Sequence, residues 1–161
     1  MVCRNILLGA MTGLVCIGGA FGQPRSIPGI DQEAPLDRAV DIPRQKLVAA
    51  FRRMKTENIS TIRMLEGGEY NVNIRHDENV TPENLMMRVH PDTIDVWVVQ
   101  EGSGTLVTGG ENVSGAYQGG MERFISMGDL IFIPAGVPHG MKEASSITCT
   151  WLNIRFPEHR N

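Results

Sequence analysis

The stretch Gly128-Asp129-Leu130-Ile131-Phe132-Ile133-Pro134-Ala135-Gly136-Val137-Pro138-His139 decides the reading of this chain. It is a tight turn, then a strand with no polar residue, then a Pro/Gly turn, then a histidine that starts the next strand. Proline fixes φ and glycine supplies the left-handed conformation, so Pro134 and Gly136 mark a firm stop to the apolar run.

Outward from this segment the period stays near two. Tyr70, Val72 and Ile74 alternate with Asn71, Asn73 and Arg75, the pattern of a strand with one buried face. Further strands are expected over 85–90, 95–100, 105–108, 123–126, 130–133 and 147–156. Turns separate them at Gly102-Ser103-Gly104, Gly109-Gly110, Gly119-Gly120 and Met127-Gly128-Asp129. Only one segment has helical spacing: Leu47, Val48, Phe51 and Met54 predict an amphipathic helix over 44–55, with Asp41 as N-cap and Pro43 in its first turn. Its apolar stripe is expected to pack on the outside of the strands after it. Many short strands behind one short N-terminal helix define an all-β barrel or sandwich.

A length of 161 residues is that of one domain, and 42% hydrophobic with 20% charged residues suffices for a core. A formal charge of −3 gives no polybasic surface, which argues against nucleic acid and anionic membranes as partners. At the N-terminus, Arg4 precedes an uncharged apolar stretch over 6–17, and Ala20-Phe21-Gly22 places small residues around a cut before Gln23. The stretch is shorter than the about 20 apolar residues of a membrane span. Residues 1–22 therefore read as a signal peptide and the protein as exported, periplasmic or secreted. A buried N-terminal helix is the alternative, opposed by its glycines; lipidation at Cys16 is another, opposed by the bulk of Val15. Residues 23–40 read as an extended arm, 41–57 as the helix segment and 58–161 as the barrel. Removal of Cys3 and Cys16 leaves Cys149, which has no intrachain partner and reads as a small core residue.

Four histidines are present. His159 reads as solvent-exposed and His76 as rim or turn, while His90 and His139 stand in the most patterned segments. The segment 128–139 resembles the second cupin motif, G-x5-P-x-G-x2-H-x3-N: Gly128, Pro134, Gly136 and His139 fall on it, and Glu143 replaces the terminal Asn. The segment 88–104 resembles the first motif, G-x5-H-x-H-x3,4-E-x6-G. His90, Asp95 and Gly102 fall on it, Arg88 stands where the first His would be, and Pro82 where the leading Gly would be.

The resemblance extends over about 70–156 and implies a double-stranded β-helix, the cupin or jelly-roll barrel, a fold that often forms homodimers. It also implies a divalent first-row metal held by His90, Asp95 and His139. Two imidazoles and a carboxylate suit non-haem Fe, and Mn, Zn or Ni would also fit. Two histidines buried on ordinary hydrogen bonds are the plainer alternative. Arg88 has no lone pair for a metal. Being two residues from His90, it should face the same way. It then either clamps the anionic group of a substrate or pairs with Asp95 and removes the only anionic ligand. Trp97, Asn153 and Arg155 are expected to line the same pocket, and Asp77-Glu78 and Glu122-Arg123 to be solvated or rim charges.

These readings imply a metal-dependent pocket acting on a small organic molecule, expected to be anionic, by oxygenase- or lyase-type chemistry. A non-catalytic module that binds a small ligand without metal is the alternative, and a barrel filled with apolar side chains a third.

Overall fold

The computed structural model describes residues 37–114 and 116–155. The expected signal peptide, the arm up to residue 36, and His159 lie outside the described residues, as does the side chain of Arg155.

Helix α1, Arg44–Glu57, buries Ala50, Phe51 and Met54. Asp41 does not cap it: Pro43 occupies the N-cap without a side-chain bond, and its carbonyl accepts from Lys46 N and Leu47 N. The helix stops at Asn58, whose left-handed φ of 53° closes its last turn. Its stripe meets β1 (Thr61–Glu66) and the outer face of β2 (Tyr70–Val80) in a cluster with Ile59, Ile62, Met64 and Ile74. Strand β1 was not legible in the sequence, because Ile62, Met64 and Leu65 break strict alternation. The structure resolves this as a register shift between Arg63 and Leu65.

Beyond β2, a 3-10 turn at Pro82–Asn84 leads into an extended segment held to β8 by one bridge, Arg88 with His139. The strand expected over 85–90 is thus a single pair of backbone bonds. The remaining strands are β3 (Thr93–Thr108), β4 (Glu111–Val113), β5 (Ala116–Gln118), β6 (Met121–Ser126), β7 (Leu130–Ile133) and β8 (His139–Arg155). The main sheet runs β1-β2-β8-β3-β6, with β7 also on β3, and β4-β5 form a separate hairpin. All pairings are antiparallel.

Strands β3 and β8 are long and bend together. The turn expected at Gly102-Ser103-Gly104 is a kink within β3. Register shifts fall between Val99 and Glu101 and again near Thr105, and Gly102 has a φ of 77°. A Cβ at Gly102 would lie 2.0 Å from Ser146 O, so both the conformation and the crowding require glycine. By this bend one strand serves both walls of the barrel, the double-stranded β-helix expected from the sequence. Its interior holds Trp97, Val99, Ile133, Ile147, Cys149 and Trp151. Burial pushes the Cys149 thiol up to about 12, as befits a core residue.

The two faces of β2 have roles the sequence did not assign. Its apolar face, with Ile74 fully buried, lies under α1 outside the barrel. Its polar face, with Asn71, Asn73, Arg75 and Asp77, lines the interior. His76, expected at a rim or turn, is buried on the outer face, with Nδ1 2.8 Å from Thr148 Oγ1.

Candidate metal centre and its cavity

Three segments deliver the central side chains. The bridged segment carries His90, β3 carries Asp95, and β8 begins with His139. Asp95 and His139 are 1% and 2% exposed. Their donor atoms and that of His90 lie within 4.8 Å of one another. Nε2 of His139 is 3.2 Å from Asp95 Oδ2, and Nε2 of His90 is 3.8 Å from it.

Hydrogen bonding fixes what these atoms can offer. His139 Nδ1 lies 2.9 Å from Val137 O. A carbonyl only accepts, so Nδ1 carries the hydrogen, and Nε2 of the neutral ring is left with a lone pair. In that form the lone pair faces a carboxylate oxygen, and in the protonated form Nε2–H donates to it. Burial, opposed by Asp95, holds His90 below its ordinary value and favours its neutral, ligating form. Nε2 of both histidines and Oδ2 of Asp95 are buried without a hydrogen-bond partner. Three buried ligand atoms converging on one point without hydrogen-bond partners are satisfied by a proton or a cation among them. Metal bonds of about 2.0–2.2 Å place adjacent donors about 3 Å apart, which the His139–Asp95 pair already meets. The residues fit a divalent metal.

The other oxygen of Asp95 is held from behind. Asn153 Nδ2 donates to Asp95 Oδ1, and Asn153 Oδ1 accepts from Asn73 Nδ2 at 2.9 Å. Asn73 Nδ2 also donates to Asn71 Oδ1. Arg63 Nε donates to Asn73 Oδ1 at 3.3 Å. Because a carboxylate is acceptor-only, every amide in this line has a forced orientation. The line runs from a cation on β1 across β2 and β8 to the anion on β3. Asn153, expected as a pocket residue, does line the smaller cavity, but its amide is engaged in positioning Asp95.

Arg88 does not pair with Asp95. Its guanidinium makes no hydrogen bond or ion pair among the described residues, and it lines both cavities beside the centre. Its segment is seated closely on β8: a Cβ at Gly140 would lie 2.6 Å from Met86 O. Burial, then the nearby Arg75, lower the Arg88 pKa, and Asp77 opposes this. The larger cavity, about 570 Å³, includes Arg88, Trp97, Trp151, His139, Met86 and Met141 in its lining. The smaller, about 180 Å³, is bounded by His90 and the asparagine line.

Trp97 lines the larger cavity as expected, and its ring meets those of His139 and Trp151 edge-on at 5.6 and 5.9 Å. The sequence missed Trp151, Asn73 and the Arg75–Asp77 pair. Asp77, read as solvated or rim, accepts from Arg75 Nε and Nη2 at 2.8 and 2.6 Å and faces the larger cavity. The alternation of Asn71, Asn73, Arg75 and Asp77 was the available signal, since one polar face had to point inward. Glu122 is at the surface as expected, paired with Lys142 at 2.5 Å.

The cupin-domain family model matches residues 77–155, the span that contains Arg88, His90, Asp95 and His139. The chain belongs to the cupin superfamily. Among solved structures it is similar to BH2720 from Bacillus halodurans, at 18% identity and a TM-score of 0.52, covering 74% of this chain and 86% of that one. It is also similar to TT1209 from Thermus thermophilus, at 21% identity and a TM-score of 0.44 over 60% of this chain and 83% of that one. Hydroxypropylphosphonic acid epoxidase from S. wedmorenis aligns at 15% identity and a TM-score of 0.44, over 55% and 44% of the two chains. No curated protein matches the chain. The first likeness bears on the fold alone.

Proposed function

We propose that this chain is an exported, metal-dependent cupin enzyme acting on a small organic anion. The observation that carries this is the set of three buried ligand atoms, His90 Nε2, His139 Nε2 and Asp95 Oδ2, turned toward one another with no hydrogen-bond partner in the surrounding protein. They would hold Fe, Mn, Zn or Ni. When bound, such a metal supplies Lewis-acid or oxygen-activating chemistry, suited to a lyase or an oxygenase. The protein's own part is distinct. Asn153 aims the carboxylate, Val137 O fixes the tautomer of His139, and Arg88 binds and orients the anionic group of the substrate. Trp97 and Trp151 keep bulk water from the cavity wall. Export rests on the sequence of residues 1–22.

A second reading, a ligand-binding module without metal, is favoured by the unpaired cation Arg88 beside the centre, which repels a bare metal ion.

Elemental analysis of the purified protein, with His90→Ala and Arg88→His beside it, separates the two. Stoichiometric metal in the wild type, lost in His90→Ala, is expected. A wild type that is metal-free and cannot be reloaded with Fe, Mn, Zn or Ni overturns the enzyme reading. N-terminal sequencing of the protein recovered outside the cytoplasm tests export, with a start at Gln23 expected.

A further inference from the structure

Apart from the three atoms that face the metal centre and the carboxylate of Glu78, exposed at the cavity's edge, the polar groups left unpaired around Arg88 are donors. The guanidinium presents five N–H donors, and none meets an acceptor among the described residues. Trp97 and Trp151, 7% and 8% exposed, line the same cavity, and their indole Nε1 atoms are buried without a partner. Donors without acceptors call for a ligand that brings acceptors and few donors, which excludes an amine and fits an oxyanion. The charge balance narrows this further. Arg75 is already closed by Asp77, both partners being less than a fifth exposed, which leaves Arg88 as the one unpaired cation on this wall; Glu78, exposed and not paired with it, adds a negative charge that a second charge on the ligand would meet. The rest of the wall includes Val80, Met86 and Met141, which suit an apolar body and penalise a second charge.

We propose that the larger cavity selects monoanions, specifically a carboxylate on an apolar chain or ring, with the carboxylate on Arg88 and the body against Trp97 and Trp151. This rests on the substrate-clamp role given to Arg88 above, and adds that Asp77 sets the charge the site accepts. Dicarboxylates and phosphate monoesters are rejected because their second charge finds no free cation.

Trp97 and Trp151 are the only tryptophans of the chain, so intrinsic fluorescence reports on this cavity and on the smaller one that Trp151 also borders. The test titrates the full-length, chelator-treated protein with hexanoate, adipate, hexyl phosphate and hexylamine. Hexanoate is expected to change the fluorescence saturably and to bind at least about tenfold more tightly than the other three. Arg88→Gln should weaken hexanoate by about tenfold or more, the usual loss for a hydrogen bond to a charged group. Asp77→Asn frees Arg75 and should shift preference toward adipate. Circular dichroism and the thermal midpoint establish that each variant is folded; if Arg88→Gln is not, wild-type selectivity and Asp77→Asn decide. Adipate, hexyl phosphate or hexylamine binding as tightly as hexanoate overturns the proposal, as does unchanged hexanoate affinity in folded Arg88→Gln. Metal content is measured on separate, untreated samples. Selection without metal sinks only the metal reading, and metal without selection sinks only this one.

Discussion

Replacing Asn73 with leucine is the sharpest test of how Asp95 is held. Asn73 is 2% exposed and makes three side-chain hydrogen bonds, with Arg63, Asn71 and Asn153. Leucine nearly preserves the volume but strands Arg63 Nε, Asn71 Oδ1 and Asn153 Oδ1. Each lost bond costs about 0.5–1.5 kcal/mol net, so Asn73→Leu should destabilise the fold by about 3 kcal/mol. With about 2.1 cal/mol/K of unfolding entropy per residue over the about 120 described residues, that lowers the Tm by about 12 °C. The effect on the centre is separate. Asn153 loses the donor that orients it, and Asp95 Oδ1 loses a fixed partner. Outer partners of metal ligands are worth about 10–100-fold in metal affinity. The control is Asn71→Leu, which removes one bond on a side branch and leaves the line from Arg63 to Asp95 intact. Calorimetric unfolding and metal titration are to be run on both variants. If Asn73→Leu binds metal as tightly as Asn71→Leu does, the amide line does not hold the carboxylate, and the role given to it is refuted.

Two further outcomes rest on burial and backbone geometry. His76 is held below its ordinary value near 6.5, chiefly by burial and then by Lys55, with Glu78, Asp77 and Glu101 opposing. The unfolded chain therefore takes up a proton first, and stability should fall as pH drops below about 6.5; denaturant midpoints from pH 7 to 5.5 should decline less in His76→Gln. Gly102→Ala and Gly128→Ala separate crowding from conformation. Both sites have positive φ, 77° and 97°, but only at Gly102 does a Cβ meet backbone, at 2.0 Å, while nothing lies within 4 Å at Gly128. Gly128→Ala should cost about 1–2 kcal/mol and Gly102→Ala clearly more; equal denaturant midpoints would refute the kink assigned to β3.

The barrel was legible because its signals are local. Strand β7 falls on the expected 130–133, and α1 begins at the expected residue 44, since an apolar run between turns and a helical stripe depend on near neighbours only. The centre was legible through spacing, as His90, Asp95 and His139 stand in motif positions whose meeting depends on the barrel. What escaped is what pairing across strands decides. Nothing along the chain shows that Asn73 will face Trp151, or that Asn153 will stand between Asn71 and Asp95; these are register facts between segments about sixty to eighty residues apart. Asp77 read as a solvated or rim charge because it forms an acidic pair with Glu78 just past the expected end of the strand. Yet the strand's alternation turns Asp77 inward onto Arg75.

The same register explains why Arg88 stays available. Two anions that are not solvent-exposed face the interior near it, and each is already committed; Glu78, which also lines the larger cavity, is exposed. Asp77 is held by Arg75, and Asp95 is engaged on one oxygen by Asn153 and on the other lies nearest His139. If either were absent or turned outward, Arg75 or the two histidines would compete for the remaining anion. If both were free, Arg88 would close on one of them and the cavity would carry no uncompensated donor. The arginine that stands in the position of a metal-binding histidine is therefore kept open by two internal pairings, and this leaves the site a fixed positive charge beside a place for a metal. Function in this chain is decided by that juxtaposition more than by the barrel, because the fold alone is compatible with many chemistries.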